Sequence, residues 1–340
     1  MAWISPLLAI VLTALCGVVL FGAVGKDPLS SLAVFFYEPI RDLRGWSEVG
    51  VKMAPLVLIS VGLAMCFRAN IFNIGAEGQF VLGAIAAGAV ALYLDDGTNG
   101  GFWLISVALV AGTLGGMAWA AITAWLRDRY NANEILVSLM LVYVAELLLS
   151  YLVHGVLMDP DGMGFPQSKL FSEGFLLPVV LPNTRLHIGV VLALAASILA
   201  WLYMSKSFSG FKLQVGGMAP RAARYAGFSA RRSLWISMTV SGALAGLAGA
   251  CEVMGPIGQL TPSISPGYGF AAIIVAFVGR LHPVGVIFSS FIMALFYIGG
   301  ELSQSRLGMP NAITGVFQGI LLFSLLACDV FIRYKLAWRK

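Results

Sequence analysis

Ile71-Phe72-Asn73-Ile74-Gly75-Ala76-Glu77-Gly78-Gln79-Phe80 opens a run that continues to Leu94 with Glu77 as its one charged residue. A transmembrane helix needs about 20 predominantly apolar residues, because no water is available in the bilayer core to satisfy a backbone of any other shape. Residues 71–94 meet that length. The same pattern recurs along the chain, at 3–24, 49–67, 102–126, 134–156, 187–204, 234–252, 268–279, 283–300 and 311–331. Residues 268–279 are too few to cross alone as an α-helix, so a broken or half-length segment continuing from 264–267 is expected there. The reading is an all-α, polytopic transmembrane helix bundle of about ten segments, forming a single domain over 1–340.

Composition supports this class. The 340 residues are 59% hydrophobic and 11% charged, with a mean hydropathy of +0.89. A soluble domain carries about 25% charged residues, so this chain has too few to cover a water-facing surface. The net charge of +5 comes from basic residues gathered in a few loops. These residues therefore read as orientation signals and not as a nucleic-acid surface. Residues 205–232 hold Lys206, Lys212, Arg221, Arg224, Arg231 and Arg232 with no acid, Arg127 and Arg129 follow the fourth span, and Arg333, Lys335, Arg339 and Lys340 close the chain. Placing these clusters in the cytoplasm puts Asp95, Asp96 and the 157–186 loop outside, and ten crossings with both termini inside satisfy every assignment. The apolar N-terminus lacks a positive leading region and is expected to remain as the first span.

Few residues offer catalytic or metal chemistry. Cys16, Cys66, Cys251 and Cys328 lie in separate apolar runs without metal-ligand spacing, so packing is the expected role. His154 and His187 flank the outer loop, where an interfacial position is expected, and with His282 they form no ligand set. No catalytic residue, metal or bound cofactor is expected. The chain contains no G-x-x-x-x-G-K-[ST] loop, so ATP and its Mg would reside on a partner.

Two segments carry functional information. In the first, Gly75 and Gly78 permit a chain break or close helix approach, while Phe72, Asn73, Glu77 and Gln79 are candidate pathway residues. An intramembrane carboxylate costs about 2.5–3.5 kcal/mol on insertion scales unless paired, protonated or facing a wet cavity. Three readings of Glu77 stand: a structural cap on a half-helix N-terminus or a bond to a neighbouring helix, a direct contact to solute, and simple exposure at the membrane surface. Phe72 and Phe80 offer stacking surfaces, although packing is the commoner role. A second Gly-containing interruption, 266–280, makes a pair with 72–83, and such pairs mark transport paths.

The second segment runs Pro220-Arg221-Ala222-Ala223-Arg224-Tyr225-Ala226-Gly227. Pro220 can start a short helix and Gly227 end it. Arg221 and Arg224, spaced i,i+3, share a face, and Ser229 can cap the next helix. A small-residue helix suits insertion into a groove on another protein; an inert basic loop that only sets topology is the alternative. After residue 186 no proline falls inside a span, and Pro283 and Pro310 sit at boundaries.

Asn73-Ile74-Gly75-Ala76-Glu77-Gly78-Gln79 is similar to the N-I-G-x-E-G-Q signature of ATP-binding-cassette importer permeases of the nucleoside and simple-sugar group, related to the branched-chain amino-acid permeases. Ala222–Gly227 followed by 241–249 resembles that group's coupling segment and next helix, and 267–276 with 279–285 is a third match. The resemblance covers about 50–330. It implies a type II-like importer fold, a second permease (identical or sister), cytoplasmic ATPase subunits docked on Pro220–Gly227, and an extracytoplasmic binding protein or lipoprotein that meets the 157–186 loop. It also implies a multi-pass protein of a bacterial inner membrane that is not itself an enzyme. Its substrate class is a nucleoside or related polar solute, with a simple-sugar permease as alternative. A reading outside the resemblance is a stand-alone secondary transporter or channel using Glu77 as an ion site.

Overall fold

A computed structural model describes residues 4–94, 102–310 and 312–333. Among these the chain is helical: α1 (Ile4–Ala23), α2 (Pro28–Leu32), α3 (Leu43–Arg68), α4 (Ala76–Tyr93), α5 (Phe102–Tyr130), α6 (Glu134–His154), α7 (Gly189–Lys206), α8 (Phe208–Met218), α9 (Pro220–Tyr225), α10 (Ala230–Glu252), α11 (Tyr268–Val278), α12 (Pro283–Leu307) and α13 (Ala312–Arg333). Each of the ten apolar stretches coincides with one of these helices. Among the described residues, seven are long and apolar enough to cross a membrane: α3, α4, α5, α6, α7, α10 with its continuation to Ile257, and α12. Shorter apolar helical stretches occupy Leu7–Ala23, Tyr268–Val278 and Ala312–Cys328. Asp95 and Asp96, and Lys335, Arg339 and Lys340 of the tail, lie outside the described residues.

The chain forms two compact units. In the unit made of 1–53 and 288–340, α1 packs along α13. Its centre is aromatic: Phe35 stacks on Phe317 at 4.4 Å between ring centroids, with Phe21 and Phe296 at 5.7 and 5.9 Å from Phe317. Ion pairs Lys52–Glu301 (3.4 Å) and Arg306–Glu38 tie the polar edges of the same unit.

The unit made of 54–287 is built on α4, α5 and α10. Lipid tails are as apolar as leucine, so helices associate in a bilayer through close packing of small residues. Gly116 on α5 and Gly246 on α10 face each other so closely that a Cβ on either would overlap the opposing backbone. The flanking Gly112 and Gly242 extend the contact at the four-residue spacing that keeps one face of a helix in register.

α10 does not stop cleanly. It passes into a π-helical turn, Val253–Ile257, with Pro256 inside it, and ends at Gly258 with φ 73°. The expected span, 234–252, is free of proline as read, but the apolar helical stretch runs on to Ile257 and so takes in Pro256. The wider π turn leaves out bonds that a proline, lacking its N–H, would spoil in an α-helix. Pro283 does begin α12 as expected. The half-length segment is also present: α11 rises about 16 Å at 1.5 Å per residue, roughly half the hydrocarbon core. It is bounded by Gly267 at φ 89° and by Arg280 and Leu281 at φ 56° and 54°.

The 157–186 loop is docked against the end of α10. Ser168 N–H donates to Leu260 O (2.9 Å), Phe171 N–H to Gly258 O (2.9 Å) and Leu177 N–H to Met254 O (2.8 Å), while Phe175 and Leu177 are buried.

Candidate functional site

The chain leaves α3 at Asn70 (φ 56°) and runs non-helically to Gly75, which caps α4. Gly75 and Gly78 are glycines for a steric reason: a Cβ at either would press into the α6 backbone at Ser138 or at Leu141 and Val142. This close seat buries Asn73, Glu77 and Gln79, exposed by 0%, 2% and 1%. Their polar atoms must therefore find protein partners.

Asn73 and Gln79 satisfy each other. Asn73 Nδ2 donates to Gln79 Oε1 (2.9 Å) and Gln79 Nε2 donates back to Asn73 Oδ1 (2.9 Å). The second Asn73 amide hydrogen reaches Ser241 Oγ on α10 (3.0 Å), and Asn73 Oδ1 also accepts from Gly75 N–H (3.1 Å). Ile74 N–H donates to Ser138 Oγ on α6 (3.2 Å). This small network joins the non-helical segment to α4, α6 and α10.

Glu77 points elsewhere. Its Oε2 accepts from Gly269 N–H at 2.5 Å, and it also bonds the Ser265 hydroxyl. Ser265 Oγ in turn accepts from Gly267 and Tyr268 N–H, both at 3.1 Å. Together Ser265 and Glu77 take up the orphan donors at the N-terminus of α11, where the helix dipole favours a negative charge. Of the sequence readings of Glu77, this geometry matches the half-helix cap, and its burial at 2% exposure goes against simple surface exposure. The four candidates thus do not converge on one cavity. Phe72 is half-buried against Phe67 (5.6 Å between centroids), and Phe80 is buried edge-on to Tyr268 (5.8 Å).

Sequence reasoning missed a second carboxylate at the same helix end. Glu252, buried at the last position of α10, accepts from Tyr268 Oη (3.3 Å). An acid closing the apolar run before Val253 carried the same signal as Glu77. His187 is a further buried titratable group. It is buried, 1% exposed, at the entry to α7; its ring packs against Gly189 and Gly255, and its Nδ1 accepts from Gly189 N–H (3.2 Å). Burial pulls it down to about 4.

The other segment forms α9. Pro220 occupies its first turn, following Ala219 at φ −141°, an extended conformation natural before proline. Phe228 N–H bonds Ala223 O (2.9 Å) and Gly227 N–H bonds Arg224 O (3.0 Å), with Gly227 at φ 77°. That pair of bonds is a Schellman stop. Ser229 Oγ then accepts from Arg232 N–H (3.2 Å) and caps α10, as expected. Arg221, Ala222, Arg224, Tyr225 and Ala226 are exposed, Tyr225 by 97%, whereas Ala223 is turned inward at 4%. Helix α8, which leads into α9, was not anticipated; Ser207 caps it by accepting from Gly210 N–H (2.9 Å).

The family described as branched-chain amino acid transport system / permease component matches residues 46–326. The glucose ABC transporter permease TsgB13 of Haloferax volcanii is 33% identical, over 98% of this chain and 90% of its own. The guanosine ABC transporter permease NupP of Bacillus subtilis is 29% identical over 93% and 91%. The nucleoside ABC transporter permease NupB of Lactococcus lactis subsp. cremoris is 28% identical over 94% and 89%.

Proposed function

Because this chain belongs to the family of permease components of branched-chain amino acid transport systems, we propose that it passes a nucleoside through the cell membrane, powered by ATPase subunits that dock on α9. The chain is a membrane permease of the ATP-binding-cassette importer class. The observation that carries the docking is the exposed face of α9. Its proline start and Schellman stop bound a six-residue helix seated on Ala223, and its Tyr225 makes almost no contact with its own chain. A large exposed aromatic beside two arginines is the composition of an interface anchor.

On the distribution of basic residues, α9 and both termini are read as cytoplasmic in this proposal. The 157–186 loop then faces outside, where it would meet a binding protein or lipoprotein. A second permease, identical or sister, completes the pathway. Closure of the ATPase pair would push α9, and α8 and the 69–75 segment would carry that displacement toward Asn73 and Gln79. Gly217 of α8 lies directly against the backbone of Arg68 and Ala69, which supports a stiff connection. Phe72, Asn73, Glu77 and Gln79 would act by holding the broken segments in register along the path, with selectivity residing mainly in the binding protein.

Nucleoside is favoured by the guanosine and nucleoside permeases and by the Asn73–Gln79 string. The glucose permease, at the higher identity, supports a simple sugar as the second reading. Uptake of labelled guanosine and glucose by proteoliposomes holding the assembled transporter, with its binding protein and internal ATP, separates them. Guanosine accumulation that unlabelled glucose does not compete for is the expected result. Glucose accumulation alone would transfer the assignment to sugars.

A further inference from the structure

Behind α9, on the side opposite its exposed face, lies a cavity of about 560 Å³. It is walled by α8, α9, the start of α10, the end of α5 and residues 69–71. Four cations line it, Arg127, Lys212, Arg224 and Arg231, with a single carboxylate, Asp128. Arg231 Nε bonds Asp128 at 2.7 Å, and Trp235 Nε1 donates to the same oxygen at 3.1 Å. Arg127 pairs with Glu134. Lys212 and Arg224 have no carboxylate partner among the described residues; Lys212 Nζ instead sits 4.2 Å from the Phe208 ring centroid.

With Arg127 and Arg231 already paired, Lys212 of α8 and Arg224 of α9 face the same hollow without a carboxylate between them, and an anion placed there would relieve their mutual repulsion. The volume lies in the range of small-molecule sites. Guanidinium and ammonium groups together match the oxygens of a phosphate. The position along the membrane normal is marked by Trp125 and Tyr130, exposed aromatics on the same end of α5. Such residues sit at headgroup level, and basic pockets at that depth bind anionic headgroups.

The geometry points to a phosphate-binding site between α9 and the bundle, occupied by the headgroup phosphate of an anionic lipid or by a soluble phosphate. Ala223 forms part of its wall. An occupant therefore bears on the buried side of α9 while its outer side stays open to a partner. Binding itself is independent of the ATPase reading; only its consequence, a change in how firmly α9 is held, rests on that reading.

The test uses the full transporter in nanodiscs of phosphatidylcholine with or without phosphatidylglycerol, delipidated and examined by native mass spectrometry. A phosphatidylglycerol adduct on this chain is expected to persist, to weaken about tenfold in Lys212→Gln, as befits one lost charge-assisted contact, and to return in Lys212→Arg. In phosphatidylcholine discs, titration with inorganic phosphate tests the soluble source; saturable binding lost in Lys212→Gln supports the site with that occupant. Arg224→Gln repeats the comparison if Lys212→Gln fails to assemble; because Arg224 also belongs to the proposed docking face, the adduct is read on the permease chain itself, with or without retained ATPase. Retention of neither probe, or equal retention by wild type and both charge-removing variants, overturns the proposal. ATPase co-purification is scored in the same samples. Loss of ATPase from Lys212→Gln with neither probe bound would assign the cavity to an acidic segment of the partner, and would also overturn it.

Discussion

Glu77 shows how one residue type supports two functional stories and how geometry separates them. Its carboxylate accepts from the Gly269 N–H at the start of α11, a role in which a neutral amide oxygen can substitute. Glu77→Gln is therefore expected to keep most uptake and melting temperature, whereas Glu77→Ala leaves the Gly269 N–H without its acceptor, with Ser265 alone capping α11, and costs about 1–2 kcal/mol. Thermal unfolding in detergent and uptake by the assembled transporter measure both. Loss of uptake in Glu77→Gln with unchanged melting would assign the charge itself to transport. His187 gives a pH signature. Its folded value lies near 4, below the ordinary value of about 6.5 for an unfolded histidine, so the unfolded state binds more protons between the two. The stability this residue contributes is present above about 6.5 and is lost as pH falls toward 4. Hydrogen exchange of residues 168–188 is expected to speed up across that window, and a His187→Gln variant to lose the pH dependence. That Glu77 would need a partner was legible from its apolar surroundings. That the partner would be a backbone N–H 192 residues away was not, because the sequence carries no record of which half-helix ends beside which.

The elements divide in the same way. The ten apolar stretches all became helices, because length and hydropathy alone dictate that outcome in a bilayer. Helix α9 was legible too, from Pro220, Gly227 and Ser229, whose roles are local. Helix α8 was not: Gly210, Gly216 and Gly217 argue against a helix on propensity. Two of them serve close approach, Gly210 to the end of α7 and Gly217 to the end of α3. The π turn after α10 was equally hidden, since Pro256 reads as a terminator. Ala223 was expected on the docking face with its neighbours and instead faces the bundle, since a six-residue helix must seat one side. The contact of α5 with α10 yields a firm expectation. Gly246→Leu forces a side chain into the backbone of Gly112 and Gly116 and should destabilise by at least about 2 kcal/mol. A lower melting temperature and loss of assembled transporter check this. Gly315→Leu on α13, where a Cβ meets nothing within 4 Å, serves as the tolerant comparison and is expected to assemble normally.

At the level of the molecule, composition alone argued against a soluble fold, and the missing phosphate loop was the ground for expecting ATP on a partner chain. What sequence left open was how the permease is driven, because a carboxylate in a membrane segment serves a proton-coupled carrier as readily as a capped half-helix. Glu77 is engaged at α11 and Tyr225 is presented on the open face of α9, which is the ground for proposing the driving contact at α9. The direct measurement is purification of the tagged chain in mild detergent with its encoded neighbours, scoring ATPase recovery and hydrolysis for wild type, Tyr225→Glu and Arg224→Glu. Both substituted side chains are exposed, so the fold is expected to survive. Recovery of an active ATPase with wild type, and loss of about tenfold or more with each variant, is the predicted result. A chain that purifies alone under conditions that preserve complexes, and still accumulates solute in liposomes given only an ion gradient, would contradict it.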